Sequence, residues 1–239
     1  MKQLSARSVV LSLLLGAHPP ELPVSGLVEA GELFGIAEPT LRVALTRMVA
    51  AGDLERSDGT YRLTPRLLER QRRQDAALSP ATRDWDGTWE MVVVTSAGRS
   101  AADRAELRST FSELRLAELR EGVWTRPANL VRELPLWPAD LLTRFRSVPE
   151  EEPHRLASRL WDLPAWNRTG QDLLERVGAS GTAATRLAVA AAIVRHLRTD
   201  PALPLTLLPD EWCGDELRAG YAAYQGELIA TGMPVRVTH

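Results

Sequence analysis

"EPTLRVALTRMVAAGDLERSDGTYRLT", residues 38–64, decides how the first part of the chain is read. On a helical wheel at about 100° per residue, Leu41, Ala44, Leu45 and Met48 gather on one side. Arg42, Val43, Thr46 and Arg47 gather on the other, with Thr40 at its margin. Glu38-Pro39 opens this helix, since a proline in the first turn gives up an N–H that has no partner there anyway. The helix is expected to end near Gly52. Residues 54–56 and 61–63 then alternate like strands around "SDGT", whose Asp58-Gly59 pair is a strong hairpin signal. Arginine donates two hydrogen bonds to guanine in the major groove, and threonine bonds a base or phosphate or touches a thymine methyl. Most surface helices turn polar residues outward, so the helix alone favours a merely solvated face. Helices before it and a hairpin directly after it form a rarer order, that of a winged helix-turn-helix.

Working outward, residues 8–15 read as a first helix, with Val9, Val10, Leu13 and Leu14 as its buried stripe. Residues 25–34 read as a second, with Ser25 as N-cap and Gly35 as its stop. The Gly35 turn would set the angle at which this helix crosses the reading helix. Arg56 and Arg62 flank the hairpin within reach of phosphates, whereas Asp58 at its tip would be repelled by them. Thr64-Pro65 starts a fourth helix, whose "RQRRQ" (70–74) reads as a solvated face, and residues 78–87 read as a linker.

From Trp85 the texture changes. "TWEMVVVTS" is expected as a strand, "AADRAELRSTFSEL" as a helix, and residues 114–127 as two short strands broken at Glu121-Gly122. A short helix over 129–134 and a strand in "LLTRFRSV" would complete a β-α-β-β-α-β order, the order of a ferredoxin-like sandwich. The acidic "PEEEP" marks a boundary, and helices follow over 153–163, 166–177, 182–198 and 215–231. The expected fold class is α+β and multidomain: residues 1–83 a winged helix-turn-helix, 84–149 ferredoxin-like, 150–239 helical.

Composition narrows the partners. A chain of 239 residues with net charge −2 has no general attraction for nucleic acid, so DNA affinity must come from a local patch. Lys2 is the only lysine, a poor candidate for P-loop or Schiff-base chemistry. Cys213 is the only cysteine, which excludes an intrachain disulfide and a cysteine-based zinc cluster; beside Trp212 it reads as a small buried hydrophobe. The apolar run 9–15 is far too short to span a bilayer and no cleavage signal follows it, so a cytoplasmic protein without a membrane partner is expected.

Six stretches in this order carry a family resemblance: "ARSVVLSLL"; "LFGIAEPTLRVALTRMVAAGDLER" with "YRLTP"; "WDGTWEMVVV"; "REGVWTRPANL"; "LWDLPAWN"; and "LLPDEW". Together they resemble the PaaX-type transcriptional regulators, repressors of phenylacetic acid degradation operons and their relatives. The resemblance implies a DNA-binding winged helix, a central domain similar to the small CRISPR-associated nucleases, and a helical C-terminal domain. It also implies a homodimer on double-stranded operator DNA, released in the namesake case by an aromatic acyl-CoA. The hairpin "SDGT" is shorter and less basic than the family's arginine-rich wings.

Two rival readings follow from the same residues. A metal-dependent nuclease or phosphodiesterase on the central domain needs a carboxylate near the end of its first strand. Residues 91–99 hold no acid, and Asp86 is expected in a turn with Gly87, so no catalytic residue, metal or cofactor is assigned. The other rival is a DNA-binding scaffold without an effector. Against it stand Trp124, Trp161 and Trp166, which with Trp137 and Trp212 either wall a pocket for a flat acyl group or fill small cores; the sequence leaves both open. In the first case Arg126 would meet a phosphate. Because the N-terminal helices and hairpin leave no obvious room, the effector is expected at the junction of the central and C-terminal segments.

Overall fold

In a computed structural model of the chain, residues 5–96, 98–138, 140–179 and 181–232 are described. The chain divides into two compact units, residues 1–78 with 172–195 and 216–239, and residues 79–171 with 196–215.

In the first unit, α1 (Ala6–Gly16) starts at Ser5, whose hydroxyl accepts from the Ser8 amide at 3.2 Å. Its last carbonyls are satisfied from a distance: the buried Gln71 amide of α4 (Pro65–Leu78) donates to Leu14, Leu15 and Ala17 at 3.4, 3.2 and 2.9 Å. Between them lie α2 (Val24–Leu33), α3 (Glu38–Ala50) and the hairpin β2 (Leu54–Ser57) with β3 (Thr60–Leu63). Both α2 and α3 stop on a left-handed glycine, Gly35 (φ 71) and Gly52 (φ 69). The amide three residues past each helix folds back, Ile36 onto Gly31 at 3.0 Å and Asp53 onto Met48 at 2.9 Å. A methyl added at Gly31 would meet Leu41 at 3.2 Å, so this glycine lets α2 and α3 cross closely. Val9, Leu14, Leu27, Leu41, Leu45 and Met48 form the core, joined by Leu187 of α8 (Ala183–Leu197) and Tyr224 of α9 (Gly214–Gly232).

Two details depart from expectation. A third strand, β1 (Glu21–Pro23), pairs with β3 and gives the sheet order β1-β3-β2. Its three residues follow Pro20 and end on Pro23, and carry no alternation long enough to read. Ser25 does not cap α2; the helix begins at Val24 behind the extended Pro23, and no side chain caps it.

In the second unit, β4 (Trp89–Val94), β5 (Ala117–Arg120), β6 (Val123–Pro127) and β7 (Leu142–Ser147) form a sheet of order β5-β6-β4-β7 with every neighbour antiparallel. That order with α5 (Ala101–Glu113) between β4 and β5 fits a ferredoxin-like fold. Ser100 and Asp103 form a reciprocal capping box at the start of α5. On one sheet face Val92, Trp124 and Leu142 pack with Phe111 of α5 and with Leu116. On the other, Trp89 packs with Leu156 and Ala157 of α6 (Pro153–Leu160) and Leu163 of α7 (Leu163–Gly178).

The helix expected over 129–134 does not form. Its backbone pairs instead with the supposed linker: the Arg83 amide donates to Asn129 at 2.8 Å, the Val131 amide to Ala81 at 2.8 Å, and Thr82 bridges Leu130. Pro135 also disfavours helical geometry at Leu134. The segment 78–87 is thus partly tied down, and Asp86 holds a turn by accepting from the Thr88 amide and hydroxyl at 3.0 and 2.6 Å.

Candidate nucleic-acid interface

The outer face of α3 divides into two lines of side chains. Glu38, Arg42 and Thr46 are bound to one another's turn: the Arg42 guanidinium donates to Glu38 at 2.6 Å, and the Thr46 hydroxyl to the Arg42 carbonyl at 3.0 Å. Thr40, Val43 and Arg47 form the second line, at the spacing that stacks side chains along one helix face. All three are exposed; Val43 keeps 50% of its surface in water, and no ion pair engages Arg47 among the described residues. A cleft of about 660 Å³ opens beside this line, between Ala6 and Arg7 of α1 and Pro39, Thr40, Val43 and Arg47 of α3. The expectation that the N-terminal segment leaves no room is therefore corrected. The first turn of α1 stands back far enough from α3 to leave it.

The hairpin is less uniformly basic than its arginines imply. Arg56 lies over the Tyr61 ring at 5.8 Å from its centroid, directly across the strand pair. Arg62 stands between Glu55 and Glu21 in register, 3.7 Å from the Glu21 carboxylate. A phosphate approaching Arg62 meets two glutamates as well.

Sequence reading missed the anchor beneath this face. Asp53, 1% exposed, accepts from Arg7 of α1 at 2.7 and 3.2 Å and from Arg66 of α4. One carboxylate thereby ties the start of α1, the end of α3 and the start of α4. The only local signal was an acid directly behind the Gly52 stop; its partners are distant in sequence.

The residues expected around an effector do not converge. Trp124 packs on Phe111, ring centroids 5.2 Å apart, under α5. Trp161 stacks on Trp89 at 6.5 Å in the core of the opposite face. Trp166 lies between His196 and Trp212, each 4.2 Å away. Arg126 is wholly buried, with its donors directed to the carbonyls of Arg115, Pro127, Pro201 and Ala202 and to the Asn129 side chain, all at 2.9–3.2 Å. Glu90 lies 3.4 Å away. Burial pushes the guanidinium down to about 9, which leaves it charged at neutral pH. The role expected for Arg126 against a phosphate is corrected: it has neither a free N–H nor an open side. Among the described residues no group of three or more His, Cys, Asp or Glu side chains is placed to share a metal ion. No described helix is long and apolar enough to cross a membrane.

Residues 5–67 match the family described as PaaX-like protein, and residues 82–139 match the PaaX protein central Cas2-like domain. A solved structure described as uncharacterized protein Rv0674 from Mycobacterium tuberculosis is 50% identical over 95% of this chain and 97% of that one, with a TM-score of 0.86. No curated protein gives a significant match. With both family domains in order, the chain belongs to the PaaX-like family, and that membership points to a regulator of transcription.

Proposed function

We propose that the chain is a DNA-binding transcriptional repressor acting as a homodimer in the cytoplasm. Its N-terminal helices and hairpin form a winged helix-turn-helix, with α3 as the reading helix. The observation that carries this is the outer face of α3. Thr40, Val43 and Arg47 stand exposed in one line, Arg42 and Thr46 in the next, on a helix held from beneath by Leu41, Leu45 and Met48. Such a face presents both hydrogen-bond donors and apolar groups to base edges. In the wing, Arg56 is the better phosphate contact, because Arg62 is flanked by glutamates.

One reading helix covers too few base pairs for specific binding, so two copies should read half-sites about one helical turn apart or a multiple of it. Selection of duplexes from a random library, followed by footprinting, tests this. The expected result is a palindrome with two protected half-sites; a single asymmetric site bound by a monomer would overturn the dimer. Release by a small-molecule effector such as an aromatic acyl-CoA belongs to the same reading, with Trp161 and Trp166 of the second unit as its remaining candidate contacts. A thermal-shift screen of acyl-CoA thioesters and free aromatic acids tests it, because a ligand of the native state raises the melting temperature by mass action.

A further inference from the structure

Val43 is out of place on a merely solvated helix face. It is a β-branched aliphatic residue, half exposed, with a threonine on one side and an unpaired arginine on the other among the described residues. The adjoining cleft continues its apolar surface onto Pro39, Ala44 and Ala6. Meanwhile the neighbouring line is partly occupied with itself, since Arg42 has spent its Nε on Glu38 and Thr46 its hydroxyl on the Arg42 carbonyl. Arg42 keeps its two terminal nitrogens and Thr40 its hydroxyl, but the second line alone sets an apolar seat, Val43, beside a guanidinium that no ion pair engages among the described residues, Arg47. In the major groove only thymine offers a methyl group, and guanine offers the paired acceptors that suit arginine.

We propose that Val43 is a specificity-determining residue that seats the C5-methyl of a thymine, close to a guanine read by Arg47. This rests on α3 being the reading helix. Val43 and Arg47 are four residues apart, about 6 Å of helix rise at ~1.5 Å per residue. Base pairs stack at about 3.4 Å. The thymine and guanine thus fall within about two base pairs of each other in each half-site.

The test replaces the thymines of a selected duplex by 2′-deoxyuridine one at a time, which removes a methyl and nothing else. Affinity is read by fluorescence anisotropy with the full-length chain. One thymine per half-site should lose about three- to fivefold on replacement, the factor expected for one buried methyl group. In Val43→Ala that sensitivity should vanish while preference for the guanine persists, and Arg47→Ala should do the reverse. Specific binding without a uracil-sensitive position, or with equal sensitivity in Val43→Ala, would overturn the proposal and leave the DNA-binding reading standing. Absence of any sequence-specific binding would sink both.

Discussion

Replacing Arg126 by alanine should destabilise the second unit by about 3–4 kcal/mol. Its guanidinium donates to carbonyls of Arg115, Pro127, Pro201 and Ala202 and to the Asn129 amide oxygen. The Ala202 carbonyl keeps a second donor, the Asn129 side-chain nitrogen at 3.0 Å, and Glu90 keeps Arg132 at 2.7 Å. Four acceptors therefore lose this donor. Three of them, at Pro127, Asn129 and Pro201, are buried, and at about 1–3 kcal/mol for each buried polar group left unsatisfied the loss lies roughly between 3 and 9 kcal/mol. Water entering the vacated space recovers part of that, since a bridging water is nearly as good as a direct bond, and the low end of the range is expected. Domains are typically stable by only about 5–15 kcal/mol, so the variant should be close to unfolding. Lysine keeps the charge but gathers its donors at one point, and should cost about half as much. All 7 tryptophans fall within the second unit. Urea unfolding followed by tryptophan fluorescence thus reads that unit, and circular dichroism reads the whole chain. A tryptophan-detected loss below about 1 kcal/mol in Arg126→Ala would show that these acceptors find other donors without Arg126.

Two further outcomes follow from buried groups. Asp53→Asn should cost about 2 kcal/mol in thermal denaturation, because the arginines it releases are more than half exposed. The double variant Arg7→Ala/Arg66→Ala should cost more, about 3–5 kcal/mol, since it leaves the carboxylate buried and unpaired; the opposite order would show that Asp53 is not truly desolvated. His196 is held below its ordinary pKa of 6.5, chiefly by burial. The unfolded chain therefore takes up that proton first, and stability should fall as pH drops through the histidine range below about 6.5. In urea titrations at several pH values, His196→Gln should flatten this slope, and an unchanged slope would remove His196 as its source.

How far the sequence could be read depended on whether the deciding interactions were local. Periodicity over 38–50 and the Asp58-Gly59 turn are local, and α3 and its hairpin appear where they predict. The strands of the second unit were likewise legible from alternation and the Gly122 break. The absent helix at 129–134 was not, because residues 81–83 claim its backbone from a distant part of the chain. The same limit hid Asp53, whose partners come from α1 and α4. Arg126 shows a third case. Its residue type suited a phosphate, but its position on β6 places it beside the Pro201 and Ala202 carbonyls, which only the folded chain reveals. On α3, wheel geometry assigned Arg42 and Arg47 equal standing; the Glu38 contact separates them.

Whether α3 reads DNA is settled by one titration. A duplex recovered by selection is titrated with the parent chain, Arg47→Ala, and Arg42→Ala/Arg47→Ala, with circular dichroism confirming an unchanged fold. Arg47→Ala should weaken specific binding by about 1–3 kcal/mol and relax the preference at one base position per half-site. The double variant should lose most of its preference for the selected over a scrambled duplex, keeping only the few-fold contribution of the thymine seated by Val43. If the double variant binds the selected duplex as tightly and selectively as the parent, α3 is not the reading helix.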